Sequence, residues 1–357
     1  MRHIFPGYFL TACHDPSGKL HRFDIPATER DTCRMLQHVR VGTRASALAL
    51  TQTGHVVDAL EVLGRGDLTL ETVRVRTDGD RLTGSLQSLG GTGVFVTALR
   101  DALLDGRCDV AVHSLKDLPT GDPDGLVLGA VPLREDPADA LCARDGLTLD
   151  LLPRGARIGT GSPRRAAQLL AARPDLVVVD IRGNVDTRLG RVAGSATGPG
   201  DLDAVVLARA GLARLGRLDA VTEAFTPDVM SPAPGQGALA VEVRAGLDPD
   251  EPLVRALRAL DHRPTHLAVL AERALLGRLE AGCAAPIGAT GHLAGDGRTL
   301  RLDAVIVRPD GGAALRRGLT ASLGTDGAAD ARALGTRVAE TLLDAGAADL
   351  AALGAAR

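Results

Sequence analysis

Aromatic side chains are nearly absent from this chain of 357 residues. The sequence contains no Trp and a single Tyr, and aromatic residues make up only 2% of it. A platform on which bases or sugar rings stack is therefore excluded. The formal net charge is −3, so the protein also lacks an overall positive field that would attract nucleic acid. A basic site, if the chain has one, must be local.

Cysteine is scarce and widely spaced. The five cysteines are Cys13, Cys33, Cys108, Cys142 and Cys283. An odd number without a Cys-x-x-Cys pair argues against a disulfide framework and against a zinc site, and it fits a reducing, cytoplasmic environment. His55 and His113 are not at ligand spacing with other candidates, so we expect no metal. No apolar run is long enough to span a membrane.

The first 37 residues carry a weak export-like signal. Leu10-Thr11-Ala12-Cys13 superficially resembles a lipoprotein cleavage site, but the apolar segment before it is short and is interrupted by Pro6 and Gly7. An export signal needs a longer apolar region. We therefore expect residues 1–37 to be a disordered extension, or a misassigned start with Met35 as the first residue.

Alternating strand and helix patterns divide the rest of the chain into two similar α/β lobes and a smaller α+β domain. The predicted boundaries are 38–133 with about 237–260 for lobe 1, 138–231 for lobe 2 and 262–357 for the C-terminal domain. The β-α-β order predicts a parallel sheet with helices on both faces. Stretches 134–137 and 231–237 are rich in Pro or charge and would form two hinged crossings. Two crossings between two lobes indicate a clamshell that binds a ligand in its cleft.

Polar residues follow abruptly on a short apolar strand near the middle of lobe 1. The run Val110–Val112 is followed by Ser114, Lys116 and Asp117, and Pro119 stops any regular element. In open α/β sheets, ligands bind outside the carboxyl ends of the strands. A carboxylate beside an ammonium at such a point suggests a site that handles charge. The alternative is a solvated loop with an adjacent ion pair.

Arginine recurs at the predicted strand ends and helix starts of both lobes. These positions are Arg44, Arg164, Arg165, Arg182, Arg188 and Arg214. Helix N-termini favour anions, and arginine adds bidentate, permanently charged recognition of carboxylate or phosphate. Two or three such arginines are expected by chance in an arginine-rich chain. Six at corresponding corners of two lobes predict a cleft that binds a polyanion.

Two further segments have a functional and a structural interpretation. Residues 77–93 are long, aperiodic and rich in Gly, which favours a lid over the site, although a passive surface loop fits too. The segment contains no complete nucleotide-binding glycine fingerprint. Cys283 lies between small residues in a turn before Pro286, so its sulfur could be accessible. The alternative is a buried structural thiol.

Five segments of the chain occur together in one known family. They are Val39–Leu50 (VRVGTRASALAL), Val112–Pro119 (VHSLKDLP), Gly159–Arg165 (GTGSPRR), Arg182–Arg188 (RGNVDTR) and Leu279–Gly288 (LEAGCAAPIG). In this order they resemble the motifs of the porphobilinogen deaminase (hydroxymethylbilane synthase) family. The resemblance extends from about residue 38 to the end of the chain, and residues 1–37 match nothing in the family pattern.

The resemblance implies a fold and a reaction. Two lobes like those of transferrin and periplasmic binding proteins would precede the small C-terminal domain. The family joins four porphobilinogen molecules head to tail, with loss of ammonia, into linear hydroxymethylbilane for tetrapyrrole and heme biosynthesis. By similarity, Cys283 would carry one dipyrromethane cofactor per chain through a thioether. The resemblance further implies a cytoplasmic monomer whose product passes to uroporphyrinogen-III synthase.

The resemblance also assigns roles to single residues. Asp117 would be the catalytic carboxylate, which stabilises the cation formed when ammonia leaves and moves protons. The positions matching cofactor contacts are Lys116, Ser162, Arg164, Arg165, Arg188 and Arg214. The positions matching substrate contacts are Arg44, Ser46, Ser114 and Arg182. Each pyrrole carries an acetate and a propionate, so a growing chain is the polyanion that these arginines suit.

One departure and one alternative remain from the sequence. The family often has lysines in the glycine-rich loop, where this chain has Ser88 and Thr92, so the loop supplies fewer cations. The alternative function is a non-catalytic clamshell binding protein for an anionic small molecule, with Cys13 as an anchor. It predicts an exported protein without a covalent adduct, and it leaves Cys283 and Asp117 without roles.

Overall fold

The computed structural model describes residues 13–14, 20–21, 36–75, 93–121, 123–280 and 285–351. By its contacts the chain separates into residues 1–35 and residues 36–357. In the first unit, residues 13–14 pair antiparallel with residues 20–21. The disorder or misassigned start expected for residues 1–37 falls mostly outside the described residues and stays a prediction.

The described helices and strands follow one another in an α/β order. The strands are β1 (Cys13–His14), β2 (Leu20–His21), β3 (Gln37–Thr43), β4 (Leu68–Arg74), β5 (Val110–Ser114), β6 (Leu126–Ala130), β7 (Asp139–Ala143), β8 (Arg157–Gly159), β9 (Val177–Val179), β10 (Ala204–Ala208), β11 (Glu223–Ala224), β12 (Leu239–Arg244), β13 (Ile287–Leu293), β14 (Thr299–Val307) and β15 (Ala314–Ser322). The helices are α1 (Ala47–Leu63), α2 (Gly93–Leu104), α3 (Pro163–Ala172), α4 (Val185–Leu189), α5 (Arg209–Arg214), α6 (Pro252–Leu260), α7 (Arg263–Arg278), α8 (Gly327–Asp344) and α9 (Ala347–Leu350).

The first sheet has the order β4-β3-β5-β12-β6. β3 is parallel to β4 and β5, but β12 is antiparallel to both β5 and β6. The strands β3, β4, β5 and β6 therefore run in one direction, as expected, and the sheet is mixed because the chain returns from lobe 2 and inserts β12 in the opposite direction. Helices cover both faces, with Leu60 of α1 and Leu257 of α6 in one buried cluster and Leu99 of α2 in another.

The second sheet has the order β11-β7-β10-β8-β9. β8 is parallel to β9 and β10, and β7 is antiparallel to β10 and β11. Leu169 of α3 packs on one face with Ile158, while Leu212 of α5 packs on the other with Val205. β9 is short and lies at one edge of this sheet.

The third sheet is an antiparallel meander of β13, β14 and β15. Its apolar face packs on α7 and α8, where Leu275, Leu300, Leu334 and Val338 are all buried in one cluster. Together the three sheets confirm the predicted α/β fold of two lobes followed by a small C-terminal α+β domain. The two crossings between the lobes are residues 131–138, between β6 and β7, and residues 225–238, between β11 and β12.

Candidate functional site

The polar strand end in lobe 1 is held in place by buried leucines. β5 ends at Ser114, and one 3₁₀ turn, Leu115–Asp117, follows it. Leu115 and Leu118 are buried on either side, so the side chains of Lys116 and Asp117 between them remain half-exposed. No described residue hydrogen-bonds to the Asp117 carboxylate, which leaves both of its oxygens available to a ligand.

The three predicted serines all contact the protein itself. The Ser114 hydroxyl exchanges hydrogen bonds with the amide of Gln52 on α1, at 2.9 and 3.2 Å. Ser46 caps α1 and Ser162 caps α3, and each hydroxyl accepts a backbone N–H, at 3.3 and 3.5 Å respectively. Both caps therefore lie at helix N-termini, whose free N–H groups and dipole favour an anion.

A buried carboxylate stands between the two consecutive arginines of α3. Asp139 is fully buried, with Oδ2 2.7 Å from Nη1 of Arg164 and Oδ1 2.8 Å from the guanidinium of Arg165. Burial raises the pKa of Asp139, but the two guanidinium charges outweigh it and hold the pKa at about 2. Arg164 also donates to the backbone oxygen of Ser231 at 2.6 Å. The sequence predicted that both arginines belong to an anion-binding cleft; the structure shows them buried and paired with Asp139, and their binding role stays a prediction.

Gln236 joins this pair to the polar strand end. Its amide nitrogen donates to Pro137 O at 2.7 Å and to Asp139 Oδ1 at 2.9 Å. Its amide oxygen accepts from Lys116 Nζ at 3.4 Å and from Arg165 Nη2 at 3.5 Å. One side chain of the second crossing therefore links the end of β5 to lobe 2. Sequence reasoning missed Gln236 and Asp139, since neither stands in a recognisable local pattern.

The ammonium of Lys116 lies near two guanidinium groups and two carboxylates. Its pKa is lowered to about 8, chiefly by burial and also by the charges of Arg165 and Arg164, while the charges of Asp117 and Asp139 oppose the shift. The three cations therefore face two carboxylates, one negative charge fewer than they need. An anionic ligand would supply that charge.

The guanidinium of Arg188, on α4, has a buried N–H donor without an acceptor among the described residues. This donor is Nε. Burial lowers the pKa of Arg188, the charges of Arg165 and Arg182 add to this, and Asp180 opposes it. Arg182 is more exposed and lies 3.3 Å from Asp180. The structure thus brings Lys116, Arg165, Arg182 and Arg188 into one electrostatic cluster, here called the cation cluster.

The other two predicted arginines lie toward the crossings and the first strand. Arg214, at the end of α5, donates to Gly237 O at 2.7 Å, and burial lowers its pKa. Arg44 directly follows β3 and is half-buried. Arg214 therefore ties lobe 2 to the second crossing. Arg44 stands at the carboxyl end of a strand, as predicted.

Two predicted features lie outside the described residues. Cys283 belongs to segment 281–284, between the end of α7 and the start of β13. The expected lid with Ser88 and Thr92 lies in segment 76–92, directly before α2. The attachment role of Cys283 and the lid role both stay predictions. Among the described residues no group of His, Cys, Asp and Glu side chains could hold a metal ion.

Fold and site together define a two-lobe α/β protein with a cation-rich site where Gln236 of the second crossing meets the end of β5 and lobe 2. Family models agree with this class: "Porphobilinogen deaminase, dipyromethane cofactor binding domain" matches residues 39–250, and "Porphobilinogen deaminase, C-terminal domain" matches residues 266–344. The chain belongs to the porphobilinogen deaminase family, an enzyme family of the transferase class. The family predicted from the sequence motifs is therefore confirmed.

Curated relatives named porphobilinogen deaminase match over most of their length. The chain is 58% identical to that of Leifsonia xyli subsp. xyli over 320 residues, covering 88% of this chain and 94% of the relative. It is 55% identical to that of Cutibacterium acnes, covering 88% and 97%, and 54% identical to that of Micrococcus luteus, covering 87% and 93%. A putative methionine-binding lipoprotein of Bacillus subtilis superposes only weakly, with a TM-score of 0.37 at 16% identity, over 62% of this chain and 89% of that chain.

The cation cluster suits the cofactor for which the first family model is named. A dipyrromethane with acetate and propionate groups carries four carboxylates, and the cluster offers guanidinium and ammonium donors for them. The unmet Nε of Arg188 and the lowered pKa of Lys116 are both relieved by a bound carboxylate. In the part of the chain that the structure describes, no helix is long and apolar enough to cross a membrane.

Proposed function

We propose that the chain is a hydroxymethylbilane synthase, EC 2.5.1.61, which condenses four porphobilinogen molecules and one water into linear hydroxymethylbilane and releases four ammonia molecules. The observation that carries this proposal is the placement of Asp117. Its half-buried carboxylate stands beside Lys116 of the cation cluster, and Gln236 accepts hydrogen bonds from both the Lys116 ammonium and the Arg165 guanidinium. A carboxylate next to a polyanion site is what a reaction with a cationic intermediate and carboxylate-bearing substrates requires.

The arginines, the lysine and the serines would divide the anion binding among them. We assign the cofactor carboxylates to Lys116, Ser162, Arg164, Arg165, Arg188 and Arg214. We assign the incoming substrate to Arg44, Ser46, Ser114 and Arg182. Arg164 and Arg165 are already paired with Asp139, so they would act by the positive charge that remains when two guanidinium groups share one carboxylate. Arg188, with a free Nε, would bind directly.

Asp117 would act on the step that releases ammonia. Loss of ammonia from the aminomethyl carbon of porphobilinogen leaves an electron-poor cation, and a carboxylate close to the pyrrole N–H stabilises it. The same carboxylate can accept and return a proton as the next carbon–carbon bond forms. One dipyrromethane per chain, bound to Cys283 through a thioether, supplies the pyrrole carbon from which the product chain grows.

Substitution of Asp117 by Asn tests this role. We expect Asp117→Asn to lower turnover by about a hundredfold or more, because an amide neither carries the charge nor takes the proton. The matched control is Asp124→Asn, an exposed carboxylate in the next turn of the chain, which should leave turnover unchanged. Turnover of Asp117→Asn within about twofold of the unsubstituted enzyme would refute the assignment. Anion binding without ammonia release in the unsubstituted chain would favour the clamshell binding protein instead.

Several finer statements belong to the same proposal. We propose that the enzyme is a cytoplasmic monomer and that it passes its product to uroporphyrinogen-III synthase. Cys108 and Cys142 are buried free thiols, and burial raises their pKa to about 11 and about 12, so both stay protonated and poorly reactive. We also propose the domain boundaries 38–133 with 237–260, 138–231 and 262–357, with residues 1–37 outside the enzyme core.

A further inference from the structure

One face of α7 runs along the loop that follows β5. Val269, Arg273 and Gly277 are spaced four residues apart and therefore lie on the same side of the helix. Val269 is fully buried in a cluster with Leu115 and Leu118. At the other end of the stripe, a side chain added at Gly277 would meet the Thr120 side chain at 3.5 Å. Residues 115–120 thus rest on this face of α7.

Arg273 provides the polar part of this contact. Its guanidinium donates to Leu118 O at 3.3 Å, to Pro119 O at 2.7 Å and to Thr120 O at 3.4 Å. Loop carbonyls have no strand ladder to satisfy them, so they need donors from elsewhere. A guanidinium is a planar fork of five donors and can serve several adjacent carbonyls at once, which an ammonium does less well. Arg273 therefore fixes the backbone directly after Asp117.

The same helix precedes the predicted cofactor attachment residue. α7 ends at Arg278, five residues before Cys283, and five residues can span at most about 18 Å. α7 is therefore a single rigid element that both supports the Asp117 loop and leads into the segment of Cys283. Neither link was visible in the sequence, where Arg273 is one of many arginines on an amphipathic helix.

We propose that Arg273 is a positioning residue for the condensation: it holds the loop of Lys116 and Asp117 at a fixed place on the helix that leads to Cys283. This inference rests on the function proposed above. The fold of α7 does not depend on Arg273, because Leu267, Leu270 and Leu275 anchor the helix on other sides, in the core of the C-terminal domain. Loss of the guanidinium would loosen the loop and leave the helix in place. A displacement of a reacting group by about 1 Å can cost on the order of a hundredfold in rate.

The test compares Arg273→Gln and Arg273→Lys with Arg278→Gln, an exposed arginine of the same helix that pairs with Glu340. For each full-length variant we would measure kcat and KM for porphobilinogen, the intact mass and the thermal melt. We expect Arg273→Gln to keep its cofactor mass and its melting temperature, to lose about tenfold to a hundredfold in kcat, and to keep KM within about threefold. Arg273→Lys should have an intermediate kcat, since an ammonium reaches fewer of the three carbonyls. Arg278→Gln should match the unsubstituted enzyme.

The contrary outcomes are distinct from one another. If Arg273→Gln keeps the kcat of the unsubstituted enzyme, or if Arg278→Gln loses as much, the positioning role is wrong while the proposed function stands. If Arg273→Gln does not fold, Arg273→Lys decides: a lowered kcat with unchanged KM supports the proposal, and an unchanged kcat overturns it. If the unsubstituted enzyme itself releases no ammonia from porphobilinogen, the proposed function fails and this inference fails with it.

Discussion

Replacing Glu272 by Gln is the most demanding structural test of how the lobes and the C-terminal domain are joined. Glu272 lies on α7 and is fully buried. Its oxygens accept from the Arg134 guanidinium of the first crossing at 2.6 and 3.1 Å, and from Gly235 N of the second crossing at 2.6 Å. Gly291 N of β13 donates to it at 2.8 Å. One carboxylate therefore ties both crossings to the C-terminal domain.

The cost of this substitution follows from the donors around the carboxylate. Each oxygen of Glu272 accepts from Arg134 and from one backbone N–H, so an amide NH₂ at either position faces two donors and no acceptor. The change also leaves the Arg134 guanidinium buried without a counter-charge. Breaking a buried ion pair on one side costs about 3–5 kcal/mol. With an unfolding entropy of about 2 cal/mol/K per residue in a chain of this size, we expect the melting temperature to fall by about 4–7 °C.

A thermal melt followed by circular dichroism measures this change directly. The matched control is Glu340→Gln, because Glu340 forms an exposed pair with Arg278 of the same helix, at 3.5 Å. Exposed pairs contribute about 0–1 kcal/mol, so the control should melt within about 2 °C of the unsubstituted protein. If Glu272→Gln also melts within about 2 °C, the carboxylate does not hold the crossings as the contacts indicate.

Three further predictions concern charge at the site and in lobe 1. Because the pKa of Lys116 is about 8, its positive charge is lost as pH rises through that value, and KM for porphobilinogen should rise above about pH 8. Lys116→Arg should remove this rise. If KM of Lys116→Arg depends on pH as that of the unsubstituted enzyme does, the assignment is contradicted. Arg188→Gln should raise KM about tenfold or more, by loss of a charged donor with a free Nε, whereas an unaltered KM would exclude direct binding. Burial would raise the pKa of Glu242, but His113 and Arg100 lower it to about 2. The ionised carboxylate therefore stabilises the folded protein in full above its ordinary pKa of 4.5, and this stabilisation should be lost as pH falls toward 2. The free energy of unfolding of Glu242→Gln, measured with a chemical denaturant, should then vary less with pH across that range than that of the unsubstituted protein. The same variation with pH in both proteins would refute the linkage.

Local sequence patterns were sufficient to predict the strand end that carries Asp117. A run of β-branched and small apolar residues, Val110–Val112, stops at polar residues and then at Pro119, and each of these signals acts within a few residues. An element that is determined by residues adjacent in the chain can therefore be predicted from the sequence.

The residues that organise the site could not be predicted in this way. Gln236 and Asp139 bond to each other across 97 positions of the sequence, and Arg134 and Glu272 across 138. Nothing near them in the chain indicates that they are buried, and Glu272 has the pattern of a surface residue on an amphipathic helix. Their environment exists only once the two crossings pack on α7, so no local rule could find them.

Two features that the sequence interpretation did not foresee have the same origin. The expected parallel sheet is mixed because β12 enters lobe 1 from a distant part of the chain. Arg164 and Arg165 both pair with the buried carboxylate of Asp139, which precedes them by more than twenty positions. Their positive charge still belongs to the site, since it lowers the pKa of Lys116.

The mass of the intact protein tests the central claim most directly. On the proposed function, attachment of the cofactor would replace the S–H bond of Cys283 by an S–C bond to the first porphobilinogen and release ammonia, and the second unit would add with loss of another. In protein made by cells that synthesise tetrapyrroles, we therefore predict an excess mass of two porphobilinogen units less two ammonias, which is absent from Cys283→Ser. A mass equal to that of the bare chain in the unsubstituted protein would contradict the account.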